Sequence, residues 1–193
     1  MRLAILDHGH SLGARLLFAF IRRVSGQPAP EILKLVRYRP DFLGAPMKKV
    51  VHEAMRGSSP WSVADRELMA AVVAQTAGSD FCTKAHSAVA SRAYSDDARV
   101  RATLEDLETA PIEEPLRATL RMLAKLTREH VVDQEDMRSV LAAGASRQQV
   151  EDALAVGFAF NMIARLADAF GFFVGGPEVF ATGAKFLLAR GYR

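Results

Sequence analysis

One segment decides most of what this chain can become. Ser146, with Gln149 three residues on, forms the sequence signature of a capping box and opens "SRQQVEDALAVGFAFNMIARLADAFG". From Ala153 to Val174 only Asn161, Arg165 and Asp168 are strongly polar, at i, i+4 and i+7. A helix that is apolar nearly all round must be covered, either in a core or between subunits. The polar trio shares one stripe, where Arg165 and Asp168 are spaced to pair. That pair reads as an internal ion pair fixing the helix packing, with a substrate-binding role as the alternative.

The rest of the chain carries the same period. Ala, Leu, Arg, Glu and Met dominate, and Val, Ile and Thr do not alternate in the short runs that mark strands. Ser11 precedes a helix with Leu12, Leu16, Ala19 and Ile21 on its apolar face. "PEILKLVRY" gives a short helix that stops before Pro40, "RPDFLGAP" reads as a loop, and "MKKVVHEAMRG" is a helix ended by Gly57. Ser62 and Asp65 open the clearest helix, which Gly78 closes; the next begins at Ser79 and runs to about Tyr94. "SDDARVRATLEDL" adds a short helix. Pro115 opens another, with Leu116, Leu120, Leu123 and Leu126 inward. Asp133 caps the next, and Pro177 opens the last. The expectation is a single all-α domain, a helical bundle over residues 1–193, without repeats or low-complexity linkers.

Composition narrows the function classes. With 193 residues, half of them apolar, the chain can bury a sizeable core. A formal charge of +3, from Lys and Arg scattered among acids, leaves no basic stripe for nucleic acid. In "MRLAILDHGHSLGARLLFAFIRRV", Asp7, His8 and His10 interrupt any signal-like apolar run, which is also too short to span a membrane. One cysteine rules out an internal disulfide framework and suits a reducing compartment. The expectation is a cytoplasmic protein with no membrane or nucleic-acid partner.

That cysteine lies in "GSDFCTKAH". With Ser79 as N-cap, Cys82 occupies the third helical position, where the helix dipole favours a thiolate and lowers its pKa. His86 follows at i+4 on the same face, close enough for a thiolate–base pair. The alternative is a buried, inert thiol beside a structural histidine. No metal is expected, since Cys82 and His86 are too few and His52 and His130 lack ligand partners at motif spacing. His8 and His10 read as solvent-exposed. No glycine pattern cradles a phosphate, and no cofactor is expected. Trp61 reads as a staple at a helix entrance, and Phe158, Phe160, Phe170, Phe172 and Phe173 as core.

The stretch "WSVADRELMAAVVAQTAGSDFCTKAHSAVA" resembles the core of the alkylhydroperoxidase-D-like proteins, the superfamily that includes carboxymuconolactone decarboxylases. "FNMIARLADAFGF" is similar to a later helix of its peroxidase-related branch, and "YRPDFLGAP" also fits, so the likeness runs from about residue 30 to 175. The family pattern is a glutamate, a C-x-x-C pair, and a histidine four residues after the second cysteine. Glu67, Cys82 and His86 match; Ser79 stands where the first cysteine would be.

The resemblance implies a homo-oligomer and a peroxidase-like oxidoreductase acting on small hydroperoxides. It makes Cys82 the attacking thiolate, with His86 and Glu67 as a proton relay. Serine cannot resolve a sulfenic acid by disulfide exchange, so Ser79 implies an external thiol reductant. Acid–base chemistry on a small acidic substrate, as in the lactone decarboxylases, is the alternative activity, and a non-catalytic binding role is a third. Spacing by itself leaves Glu67 open. A simple hairpin turning at Gly78 would carry it past Cys82, crossed helices would bring it near, and a solvated first-turn acid is the other reading.

Overall fold

In a computed structural model describing residues 2–192, eleven α-helices follow one another and no strand occurs among the described residues. They are α1 (Ile5–His8), α2 (Leu12–Ser25), α3 (Glu31–Tyr38), α4 (Ala45–Arg56), α5 (Val63–Thr76) and α6 (Asp80–Tyr94). The remainder are α7 (Asp97–Glu105), α8 (Glu114–Glu129), α9 (Gln134–Ala142), α10 (Arg147–Phe170) and α11 (Pro177–Arg190). The side-chain caps fall at Ser11, Ser62, Asp96, Asp133 and Ser146, three of them as reciprocal boxes: Ser62 with Asp65, Asp133 with Asp136 and Ser146 with Gln149.

The expected loop at "RPDFLGAP" is instead a π-helical turn over Pro40–Gly44 that runs directly into α4. Pro40 lacks the N–H that a first turn leaves unused, and the Gly44 N–H closes the wide turn on the Arg39 carbonyl at 3.0 Å.

The centre of the bundle is α5. Every residue from Arg66 to Ala74 is buried, and α4, α6, α8 and α10 pack around it. Fully burying a side chain such as Leu68 or Met69 contributes about 1.5–3 kcal/mol, so this one helix supplies much of the core. Trp61 links its entrance to α10: the buried indole donates through Nε1 to the Gln149 carbonyl at 2.7 Å.

The long helix α10 is covered on one side only. Phe160 and Ile163 face the core, but Phe158 is 64% exposed. Beside it Leu154, Met162 and Leu166, with Leu126 of α8, line an open apolar groove of about 750 Å³. Phe173, past the end of the helix, is likewise exposed. The expected Arg165–Asp168 pair does not form among the described residues: Arg165 donates to the Asn161 carbonyl at 3.2 Å, while Asp168 accepts from Ser79 at 2.9 Å. At the N-terminal end α2 turns Ala14 inward and leaves Leu12, Leu16, Phe20 and Val24 exposed, the opposite of the expected apolar face. His8 is exposed as expected; His10 is half-buried and bonds the Leu6 carbonyl at 2.7 Å.

Candidate active site

The reversal between α5 and α6 is set by one glycine. Gly78 has φ +78°, where a side chain would be strained. Its N–H bonds the Gln75 carbonyl at 2.9 Å, and the Ser79 N–H bonds that of Ala74 at 2.9 Å. These are the two bonds of a Schellman motif, which ends α5 and starts α6 within three residues. Cys82 and His86 then lie on consecutive turns of α6, both buried. Antiparallel to them, α5 carries Glu67.

Glu67 is 0% exposed and is the acceptor for three donors. Arg56, the last residue of α4, gives it an Nη2 contact at 2.7 Å. His86 meets the other carboxylate oxygen through Nδ1 at 2.7 Å. The Tyr192 hydroxyl, from the segment after α11, spans both oxygens at 2.9 and 3.2 Å. Burial alone would push the Glu67 carboxyl up, but the hydrogen bond and charge of His86, with Arg56 behind them, bring it below the usual carboxylate range. An ionised carboxylate can only accept. His86 therefore donates through Nδ1, which leaves Nε2 as the ring nitrogen not engaged by the carboxylate. Phe160 packs edge-on against that ring, with centroids 4.3 Å apart.

Cys82 sits at the third position of α6 and is 2% exposed. The expected low pKa is not found. Burial first, then the charge of Asp168, raise the thiol, and the neighbouring Ser79 hydroxyl offsets only part of this, so it stands at about 11. Desolvation outweighs the helix dipole here because Cys82 is buried in the bundle, although Asp80 on the same turn is exposed. No hydrogen bond joins Cys82 to His86 among the described residues, and at neutral pH Cys82 is a thiol.

Ser79 is the N-cap residue by backbone, but its side chain makes no cap bond. The hydroxyl, 0% exposed, donates instead to Asp168 and ties the start of α6 to α10.

The structure brings Glu67 and His86 into contact and rules out the solvated reading of Glu67. It sets Ser79 and Cys82 at the mouth of the same helix. Sequence reasoning missed Arg56, Tyr192 and the pairing of Asp168 with Ser79. Arg56 and Tyr192 lie 11 and 125 residues from Glu67 and share no helical spacing with it. The one available signal was a buried acid on an apolar helix, which must find cationic or hydrogen-bonding partners.

Residues 43–125 match the carboxymuconolactone decarboxylase family. An uncharacterised peroxidase-related protein from Silicibacter sp. TM1040 superimposes with a TM-score of 0.76 at 22% identity, covering 91% of this chain and 92% of the other. A second such protein, from Ralstonia eutropha JMP134 and described as an alkylhydroperoxidase AhpD core, gives 0.75 at 18% identity over 93% of each chain. The debrominase Bmp8, as a cysteine-to-alanine variant in complex with 2,3,4-tribromopyrrole, gives 0.70 at 17% identity over 89% of this chain and 90% of that one. No curated protein matches the sequence. Residues 43–125 thus carry a carboxymuconolactone decarboxylase family segment, on a fold shared with these peroxidase-related proteins and the debrominase.

Proposed function

We propose that this protein is a peroxidase-like oxidoreductase that reduces small hydroperoxides through one cysteine, Cys82, with an external thiol as reductant. The observation that carries this reading is the Glu67–His86 contact of 2.7 Å, which leaves a basic Nε2 on the ring one turn from the only sulfhydryl. Substrate entry lets His86 take the Cys82 proton. The thiolate attacks the distal peroxide oxygen, the O–O bond breaks, and the alkoxide leaves with the proton held by His86. Cys82 is then a sulfenic acid. One external thiol converts it to a mixed disulfide with loss of water, and a second releases Cys82 and a disulfide of the reductant. Ser79 stays out of this cycle, its hydroxyl engaged with Asp168. A reducing cytoplasm would supply such thiols.

A second reading is favoured by the protonated state of Cys82, which stands at about 11. In it the Glu67–His86 pair acts as base on a small acidic substrate and sulfur takes no part. That a debrominase shares this fold is in keeping with more than one chemistry on the scaffold.

Self-association forms part of the same proposal. The open side of α10 at Phe158 and the exposed Leu12, Leu16, Phe20 and Val24 of α2 are apolar surfaces that a second copy would cover. A Phe158→Glu variant should then elute as a smaller species in size-exclusion chromatography.

The enzymatic reading is tested by treating the folded protein with cumene hydroperoxide and trapping sulfenic acid, with intact mass as readout. An adduct is expected in the parent, none in Cys82→Ser, and formation at least tenfold slower in His86→Ala. No adduct while the peroxide persists would transfer the proposal to the acid–base reading.

A further inference from the structure

The segment after α11 closes over the Glu67–His86 pair, and it does so with one residue. The Tyr192 hydroxyl touches both Glu67 oxygens, at 2.9 and 3.2 Å, and stands 3.4 Å from His86 Nδ1. Its ring lies nearly parallel to the His86 imidazole, 20° apart at a centroid distance of 6.3 Å. The Arg56 guanidinium that binds Glu67 also sits 5.1 Å over the Tyr192 ring. A single phenol thus bridges the acid, the base and the cation of the site.

The backbone is built to deliver it. Gly191 has φ +64°, and a Cβ there would lie 3.0 Å from the His52 ring and 3.3 Å from the Arg56 side chain. Only glycine lets the chain pass this close to α4. The Tyr192 N–H then donates to His52 Nδ1 at 3.3 Å, and Arg56 Nη2 reaches back to the Leu187 carbonyl at 3.2 Å. α11 itself packs along α6, the helix that carries His86.

We propose that Tyr192 is a positioning residue for the Glu67–His86 pair: its hydroxyl and Arg56 together lock the carboxylate so that His86 is held in one tautomer, with Nε2 as its basic nitrogen. Glu67 has rotational freedom about its last side-chain bond, and Arg56 binds only Oε1. A donor that spans both oxygens fixes the carboxylate plane, and the plane fixes the direction from which the His86 N–H can approach. Burial, and then the charge of Glu67, hold the phenol well above its ordinary pKa, so it stays a donor throughout the neutral range. Among the neighbouring ionisable groups, His52 of α4 meets the Tyr192 N–H, and Arg66, next to Glu67 on α5, lies in the field of Asp152 and Asp65; α10 also sets the apolar Phe160 against His86.

The mechanistic value of this lock rests on the proposed role of His86 as a base, but its existence can be read without any turnover. The experiment is ¹⁵N NMR of the histidine side chains in the full-length protein, comparing the parent with Tyr192→Phe, which keeps the stacked ring and removes only the hydroxyl. The parent should show a single His86 tautomer with a slowly exchanging Nδ1–H. In Tyr192→Phe the exchange of that proton with water should accelerate at least tenfold and the Nε2–H tautomer should appear. In Tyr192→Gly, added p-cresol should restore the parental signal. Hydroperoxide turnover, measured alongside, should fall about tenfold in kcat for Tyr192→Phe with KM within twofold. If the parent shows no turnover, the peroxidase reading fails while the NMR comparison still judges Tyr192. A Tyr192→Phe spectrum with parental tautomer and exchange within twofold overturns the proposal.

Discussion

Glu67 Oε2 and His86 Nδ1 are 2.7 Å apart across 19 residues and a full reversal of the chain. Glu67 stands eleven residues before Gly78 and His86 eight after it. In a strictly antiparallel pair this offset of three residues amounts to about 4.5 Å along the axis. The length of the glutamate side chain takes up that offset. Arg56 and Tyr192 approach from outside the helix pair, so the carboxylate meets three donors and α5 can bury it.

The first prediction concerns the cost of removing that carboxylate. Arg56 has a side chain only 11% exposed and stacked on Tyr192, so Glu67→Ala leaves a buried cation without its partner. Breaking one side of a buried pair costs about 3–5 kcal/mol. Urea denaturation should show a loss in this range for Glu67→Ala. Arg56→Met with Glu67→Gln, which removes both charges, should recover more than half of it. A loss under 1 kcal/mol in Glu67→Ala would mean that water already solvates Arg56.

The second follows from the pKa of Glu67, which lies below the usual carboxylate range because His86 and Arg56 together outweigh the burial that opposes them. The ionised form is favoured by folding, so its contribution is full above the unfolded carboxylate value of about 4.3 and disappears as pH falls through the lower folded value. The stability gap between the parent and Glu67→Gln should therefore be constant from pH 7 to 5 and shrink on further acidification. A gap that widens in acid would contradict an ionised Glu67.

The third concerns the thiol. With Cys82 at about 11 rather than the ordinary 9.0, the thiolate fraction at neutral pH is roughly 100-fold smaller than for a free cysteine. A raised acid is favoured by folding in its protonated form, so this contribution is present below pH 9 and is lost as pH climbs towards 11. Iodoacetamide labelling of the native protein should rise tenfold per pH unit without levelling off before pH 10. Asp168→Asn should increase the rate at every pH, because it removes the second contribution that raises the thiol. A plateau near pH 7 would identify a thiolate already formed.

Much of this was legible in the chain and some was not, for physical reasons. Caps are local: Ser62 with Asp65 and Ser146 with Gln149 each announce a helix start through groups three residues apart, and both boxes form. The Cys82–His86 spacing likewise places two side chains on one helix face. The sign of the Cys82 shift was not legible, because a helix dipole can be read from position whereas desolvation depends on what α10 and the core place around the first turn. The Arg165–Asp168 spacing misled for a related reason. Two residues three apart can pair, but the buried Ser79 hydroxyl needs an acceptor, and Asp168 is the group within reach. Tyr192 was invisible to any local pattern, since its partners lie 106 and 125 residues away.

The fourth prediction restores the sulfur that the family pattern carries at the Ser79 position. Ser79 is the N-cap and Cys82 the third residue of α6, so Ser79→Cys places a second thiol one turn before the first. The substitution gives up the 2.9 Å bond to Asp168, at about 1–2 kcal/mol. Asp168 is exposed, so its carboxylate regains water and the loss should fall at the lower end. On treatment with a hydroperoxide the variant should lose two hydrogens in intact mass, because the new thiol attacks the Cys82 sulfenic acid and expels water. The trapped sulfenic-acid adduct seen in the parent should then vanish, and a dithiol such as dithiothreitol should regenerate the protein in a single step. If the variant instead keeps the adduct and forms no disulfide, the two side chains at the mouth of α6 do not converge, and an external thiol would be required even with both cysteines present.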